Sequence, residues 1–182
     1  MRILIVGAGI AGCALYRRLQ PLGLEIDIIE KSSELASEGA AICLPANAML
    51  ALEQLDLAEQ VKLAAFQVDQ IEYALSSGKT LASASLHEAP LNKAPFVALK
   101  RDTLMSILRD GMAADVQLNT RPTALSQENN QVSVTFNTGA CKTYDLVVAA
   151  DGINSAIRSM VQPNTPLLTH QVTNWRFITK KP

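Results

Sequence analysis

The first apolar run, RILIV at residues 2–6, shows no alternation and stops at Gly7, the pattern of a strand buried on both faces. The period then changes. Ile10, Ala14 and Leu15 share one face of a helix expected over 10–22, closed by Pro21 and Gly23. EIDIIE at 25–30 restores the strand pattern, so the N-terminus predicts a strand, a helix and a parallel strand, the size of a right-handed crossover unit. Further on, Pro45 and Asn47 open a helix with leucines at 52, 55 and 57, in a stretch (39–61) expected to cover the sheet or a ligand. Residues 67–75 and 80–86 alternate as a small antiparallel insertion turning at Ser76-Ser77-Gly78, and a helix is expected over 101–113 with Leu104, Ile107 and Leu108 as its buried stripe. From 116 to 150 the pattern predicts a meander of three strands, VQLNTRPTAL, QVSVTF and TYDLVVAA, with turn chemistry at QENN and NTGA. DLVVAA is apolar throughout, which predicts a place in a buried sheet, and a helix is expected over 154–160. The one strand-like run after Met160 is VTNWRFIT, at 172–179.

Composition narrows the class. A chain of 182 residues, 48% hydrophobic and 18% charged with formal charge −1, is globular, and its scattered Lys and Arg do not suit nucleic acid. The apolar stretch from Ile3 to Tyr16 holds three glycines and is followed by Arg17-Arg18 where a signal peptide would be cleaved, so export is not expected. No run reaches the roughly 18 apolar residues that span a bilayer, so no membrane partner is expected and the protein reads as cytoplasmic. Cys13, Cys43 and Cys141 form no CxxC pair and read as small buried side chains; His87 and His170 lack partners at metal spacing, so no metal is expected.

The chemistry starts at GAGIAG, residues 7–12. Gly7 permits a tight turn out of the strand, Gly9 lets backbone approach a pyrophosphate, and Gly12 lets the helix pack on the strand. Amides of the first helical turn, Ala11 among them, then face an anion with the helix dipole behind them. Glu30 ends the second strand, where a carboxylate accepts hydrogen bonds from the adenosine ribose. A nicotinamide-binding domain would continue to a sheet of six parallel strands. Here a helix-covered loop, an antiparallel insertion and a meander follow instead. That order resembles the FAD-binding fold of the glutathione-reductase type: an α/β, Rossmann-like domain with a parallel sheet, a three-stranded β-meander and a small antiparallel insertion.

DLVVAADGINSAIR at 145–158 strongly resembles the DG segment of the flavin-dependent aromatic hydroxylases, the group A flavoprotein monooxygenases that include salicylate, urate, 6-hydroxynicotinate and 4-hydroxybenzoate hydroxylases. Asp151, Gly152, Ser155 and Arg158 occupy its motif positions. GAAICLPANAMLALEQLDL at 39–57 resembles the loop and helix beside the flavin, and ALKRDTLMSIL at 98–108 the segment whose Arg contacts the cofactor. The resemblance implies Glu30 and Lys31 at the adenosine ribose, Cys43 near the flavin end through its backbone, and Arg101 on the ribityl or pyrophosphate portion. Pro122 stands where the family usually has Val beside the adenine, and lacks an N–H to donate. Asp151 and Gly152 would support the flavin and the approach of NAD(P)H, with Asp151 also able to cap the helix behind it. The implied activity is NAD(P)H- and O2-dependent hydroxylation of a small aromatic substrate by bound FAD.

The family is about twice as long, and neither a GDAAH-like segment nor a substrate domain is present here. The expected organisation is an FAD-binding domain over 1–165, with an insertion at 66–98, and the start of a truncated substrate domain over 166–182. Three origins stay open: part of a longer hydroxylase, a short protein needing a partner chain, or a decayed reading frame. An incomplete monooxygenase is the expectation, with an exposed apolar edge that invites self-association or the missing C-terminal half. Two other functions stay open, a flavoprotein reductase or dehydrogenase on the same scaffold and a non-catalytic FAD- or nucleotide-binding module. No residue reads as catalytic.

Overall fold

The computed structural model describes residues 1–35, 41–112, 115–165, 168 and 171–173, and the chain divides into two compact units. The first comprises Met1–Ala36 and Leu108–Thr173, the second Ser37–Ile107 and Asn174–Pro182. In the first unit β1 (Arg2–Val6), α1 (Ile10–Leu19) and β2 (Glu25–Ile29) form the predicted crossover, β1 and β2 pairing in parallel with Ile3 opposite Ile26. A 3-10 turn over Gln20–Leu22 finishes the helix, and Gly23 at φ 66° stops it.

Two of the expected strands are each cut in two. VQLNTRPTAL supplies β8 (Val116–Gln117), parallel to β2, and then β9 (Pro122–Glu128); Asn119 at φ 52° turns the chain between them. TYDLVVAA likewise supplies the end of β11 (Cys141–Tyr144), antiparallel to β10 (Gln131–Phe136), and then β12 (Leu146–Ala149), parallel to β1. The break falls at Asp145, whose N–H donates to Arg2 O at 2.9 Å while its carboxylate accepts the Arg2 N–H at 2.7 Å. The result is a parallel sheet of order β12-β1-β2-β8 beside a separate β11-β10-β9 meander. DLVVAA is therefore not a buried strand: β12 is the sheet edge among the described residues, and Leu146 is 44% exposed.

Leu4, Val6 and Ile29 from the parallel sheet, Val134, Phe136 and Tyr144 from the meander, and Ile157 from α5 (Ala156–Val161) make one buried cluster. Its rim is tied by a single oxygen. Asp27 Oδ2 accepts the Tyr144 hydroxyl at 2.6 Å, Arg2 Nη2 at 3.2 Å and Lys142 Nζ at 3.3 Å. Burial works against the Asp27 charge, but the Tyr144 and Lys142 bonds outweigh it and hold the carboxyl below its usual range. The same contact and burial push the Tyr144 phenol well up.

In the second unit β3 (Ala41–Leu44), β7 (Val97–Lys100) and β4 (Phe66–Gln67) form an antiparallel sheet, order β3-β7-β4. The predicted insertion is the β5 (Gln70–Ala74) and β6 (Thr80–Ser85) hairpin, with Gly78 at φ 84° in its turn. The single helix expected after Pro45 is two, α2 (Ala46–Glu53) and α3 (Ala58–Ala64), parted where Asp56 takes φ 57°. α4 (Arg101–Arg109), whose last two residues, Leu108 and Arg109, belong to the first unit, ends before its predicted limit because Gly111, at φ 76°, turns the chain. Cys13 is buried as expected, whereas Cys43 and Cys141 sit on solvent-facing strand positions and are exposed. The run VTNWRFIT lies outside the described residues from 174 onward.

Two outcomes test this packing. Leu4→Ala, emptying a fully buried position, should destabilise the protein by about 2–5 kcal/mol in urea unfolding. Because the Asp27 pKa is lower folded than unfolded, its contribution is complete above the unfolded value of about 3.9 and is lost as pH falls through the lower folded value. The stability gap between wild type and Asp27→Asn should accordingly close below about pH 4.

Candidate functional site

The turn from β1 into α1 leaves room for side chains at some positions and none at others. Gly7 adopts φ 105°, and a Cβ there would lie 2.5 Å from Ala150 O. A Cβ at Gly12 would lie 1.8 Å from Gly7 O, inside any van der Waals limit. Both glycines are therefore demanded by the protein's own packing. Gly9 differs: a Cβ there would meet nothing within 4 Å, and its φ of −79° suits any residue. Gly9 is also the N-cap of α1, with no side-chain cap and no acidic residue in the first turn. Cys13 N–H donates to Gly9 O at 2.9 Å as the first helical bond, so the amides of Gly9, Ile10, Ala11 and Gly12 have no acceptor within the helix. An uncapped helix end beside open space, with the dipole's positive end outward, suits an anion.

Glu30 stands next to this turn. Its Oε2 accepts the Ala8 N–H at 3.0 Å and its Oε1 the Ser32 N–H at 3.0 Å. Burial opposes its ionisation, but these amide bonds prevail and its pKa is lowered. The backbone holds the residue on its far side: Glu30 N–H donates to Gln117 O at 2.9 Å and Thr120 N–H to Glu30 O at 3.0 Å. Lys31 follows, exposed. Pro122, buried at the start of β9, comes two residues after Thr120. Asp151 arrives from the other side, its Cα 3.0 Å from where a Gly7 Cβ would be. Asp151 Oδ2 accepts the Ala156 and Ile157 amides at 2.7 and 3.3 Å, while Ser155 caps α5 through Arg158 N–H. Asp151 Oδ1 is buried without a partner, and Gly152 takes φ 81°.

The first unit thus brings Gly7, Gly9, Ala11, Gly12, Glu30, Asp151 and Gly152 around one turn. Cys43, on β3, and Arg101, the first residue of α4, belong to the second unit. That unit also holds an apolar cavity of about 310 Å³ lined by Pro45, Asn47, Leu50, Ile71, Leu86 and Phe96 among others. Sequence reasoning missed the residues that brace the turn. Ala8 O accepts the Cys13 thiol at 3.2 Å and Arg109 Nη2 at 2.7 Å, and Arg109 Nη1 donates to Leu35 O. Burial raises the Cys13 pKa, keeping it a thiol. Tyr16, from α1, donates to Asp115 Oδ2 at 2.8 Å and its phenol is pushed up to about 12 by burial and that carboxylate. In linear sequence Arg109 is only a cation in the last turn of a helix.

A family described as FAD binding domain matches residues 1–178. The chain belongs to this family of FAD-binding domains. Among curated relatives, a flavin-dependent monooxygenase of Legionella longbeachae is 31% identical over 163 residues, covering 88% of this chain and 42% of the relative. A 2-heptyl-3-hydroxy-4(1H)-quinolone synthase of Pseudomonas aeruginosa is 31% identical over 180 residues, 98% of this chain and 47% of that protein. Klebsiella pneumoniae HpxO, crystallised with FAD and uric acid, superposes with TM-score 0.76 at 28% identity, over 92% of this chain and 43% of HpxO. The chain thus spans under half the length of the relatives it matches. Its mixture of parallel and antiparallel sheets is that of FAD-binding monooxygenase structures. As an FAD-binding domain, it has at the α1 N-terminus what the diphosphate of this cofactor needs, open space at Gly9 and uncapped amides.

Gly9→Val and Gly12→Val should separate the two demands on these glycines. Gly9→Val should melt close to wild type yet lose FAD affinity by about tenfold or more, since only its ligand side is obstructed. Gly12→Val should fail to give folded protein, because the carbonyl it would strike is backbone. Circular dichroism with flavin fluorescence titration reads both.

Proposed function

We propose that the chain holds FAD with its diphosphate on the amides of Gly9 to Gly12, and that the protein is an NAD(P)H- and O2-dependent monooxygenase acting on a small aromatic molecule. The observation that carries this reading is the open, uncapped α1 terminus beside an ionised Glu30. On this reading Glu30 and Lys31 serve the adenosine ribose, and Pro122 lies by the adenine. Each carboxylate oxygen has a second lone pair, so Glu30 can keep its Ala8 and Ser32 bonds and still accept ribose hydroxyls. Arg101 suits the ribityl or pyrophosphate portion because its planar fork donates parallel bonds to phosphate oxygens. The Cys43 backbone serves the flavin end. Asp151 and Gly152 support the flavin and the approach of NAD(P)H; the unpaired Asp151 Oδ1 supports that placement, being a buried acceptor in want of a donor. The glutathione-reductase type of fold, and a division into an FAD-binding domain over 1–165 and the start of a substrate domain over 166–182, belong to the same reading. Bound FAD supplies redox and oxygen chemistry that no side chain offers.

The substrate class rests on the relatives. One is a 3-amino-4-hydroxybenzoate 2-monooxygenase of Streptomyces cremeus, and HpxO is crystallised with uric acid. Among the described residues no helix is long and apolar enough to cross a membrane, and no cluster of His, Cys, Asp and Glu is placed to hold a metal.

Titration with FAD should quench flavin fluorescence to saturation; no quenching at micromolar protein overturns the cofactor assignment. The affinity should fall at acid pH as Glu30 takes up a proton, at a pH below the ordinary glutamate range because its pKa is lowered, and Glu30→Gln should flatten that dependence. Oxygen-dependent product from an aromatic substrate separates a monooxygenase from a reductase or a binding module.

A further inference from the structure

We propose that Arg109 is the positioning residue that aims the Gly9 N–H at the cofactor diphosphate, by holding the other end of the same peptide. This rests on FAD being the ligand of the α1 terminus. A trans peptide is planar, so the Ala8 carbonyl and the Gly9 N–H point in opposite directions. Arg109 Nη2 holds that carbonyl at 2.7 Å, and the Cys13 thiol holds it at 3.2 Å. The Gly9 amide is thereby turned away from Arg109, at the glycine where an added Cβ would meet nothing within 4 Å. The preceding peptide is held as well, because Glu30 Oε2 accepts the Ala8 N–H. With Ala8 bound at both its N–H and its C=O, neither plane can rotate without breaking a bond to a charged group.

Arg109 is itself well placed for this. Arg17, on α1, donates from Nε to Leu108 O at 2.7 Å and from Nη2 to Asp110 O, fixing the chain on both sides of Arg109. Nη1 of Arg109 donates to Leu35 O, so the guanidinium also tethers the segment that follows Lys31. Its Nε is buried with no partner. Leaving that one buried N–H of a half-buried guanidinium unpaired is unfavourable for stability alone, which is what a side chain kept for the carbonyls it orients would show.

The test compares wild type, Arg109→Met and Arg109→Lys at a temperature where circular dichroism reports native protein for each. Arg109→Met should weaken FAD and ADP by the same factor of about tenfold, the scale of one lost bond to a charged group, and should shift the Gly9 amide resonance in the ligand-free protein. Arg109→Lys, able to reach one carbonyl, should recover part of the affinity. Should Arg109→Met not fold, Arg109→Lys carries the test, with weaker ADP binding and a shifted Gly9 resonance expected. Unchanged ADP affinity in folded variants, or a lower melting temperature with the Gly9 resonance in place, overturns the proposal. If wild type binds neither FAD nor ADP, it is the cofactor assignment that fails.

Discussion

The first unit depends on one approach of backbone to backbone. Helix α1 lies so near the end of β1 that a single methyl at residue 12 would overlap the Gly7 carbonyl, and Gly7 in turn abuts Ala150. Two glycines thus let three segments, β1, α1 and the exit of β12, converge on one turn. Since a side chain at either would push them apart, the direction of the helix dipole and the location of its bare amides follow from packing, before any ligand is considered. Of the three glycines in GAGIAG, Gly9 alone is exempt from that packing, and its exemption marks the side on which a ligand can lie.

Around this turn the chain repeatedly leaves one sheet for another. At Asn119 it passes from the parallel sheet into the meander, and at Asp145 it passes back. Both crossings are fixed by short polar residues: Asn119 through a left-handed backbone and Asp145 through its bonds to Arg2. The second crossing delivers β12 to the side of β1 and sets Asp151 against Gly7. The meander is therefore the path by which the chain returns to the glycine turn.

Much of this was legible in order and type. RILIV, the α1 stripe and EIDII could be read because long-range pairing of β1 and β2 needs only a crossover of standard size. The glycine spacing with Glu30 was legible for the same reason, being local to that unit. What escaped was set by tertiary context. β3 and β7 are four residues each, too short for a period to show. The cuts at Asn119 and Asp145 lie inside runs whose residue types suit a strand throughout. β12 reads as a core strand by composition, yet among the described residues it stands at an edge. Arg109 meets Ala8 across 101 residues of sequence, and no local pattern announces such a contact.

Asp27 has a consequence for how the first unit loosens. Its one oxygen receives donors from β1 and, twice, from β11, so the strand of the parallel sheet that carries it is latched to the meander across the layer boundary. The buried cluster beneath draws side chains from the same two layers. Neither layer can fray without exposing the other's apolar face and breaking that latch. The sheet and the meander therefore open as one cooperative body rather than peeling apart strand by strand.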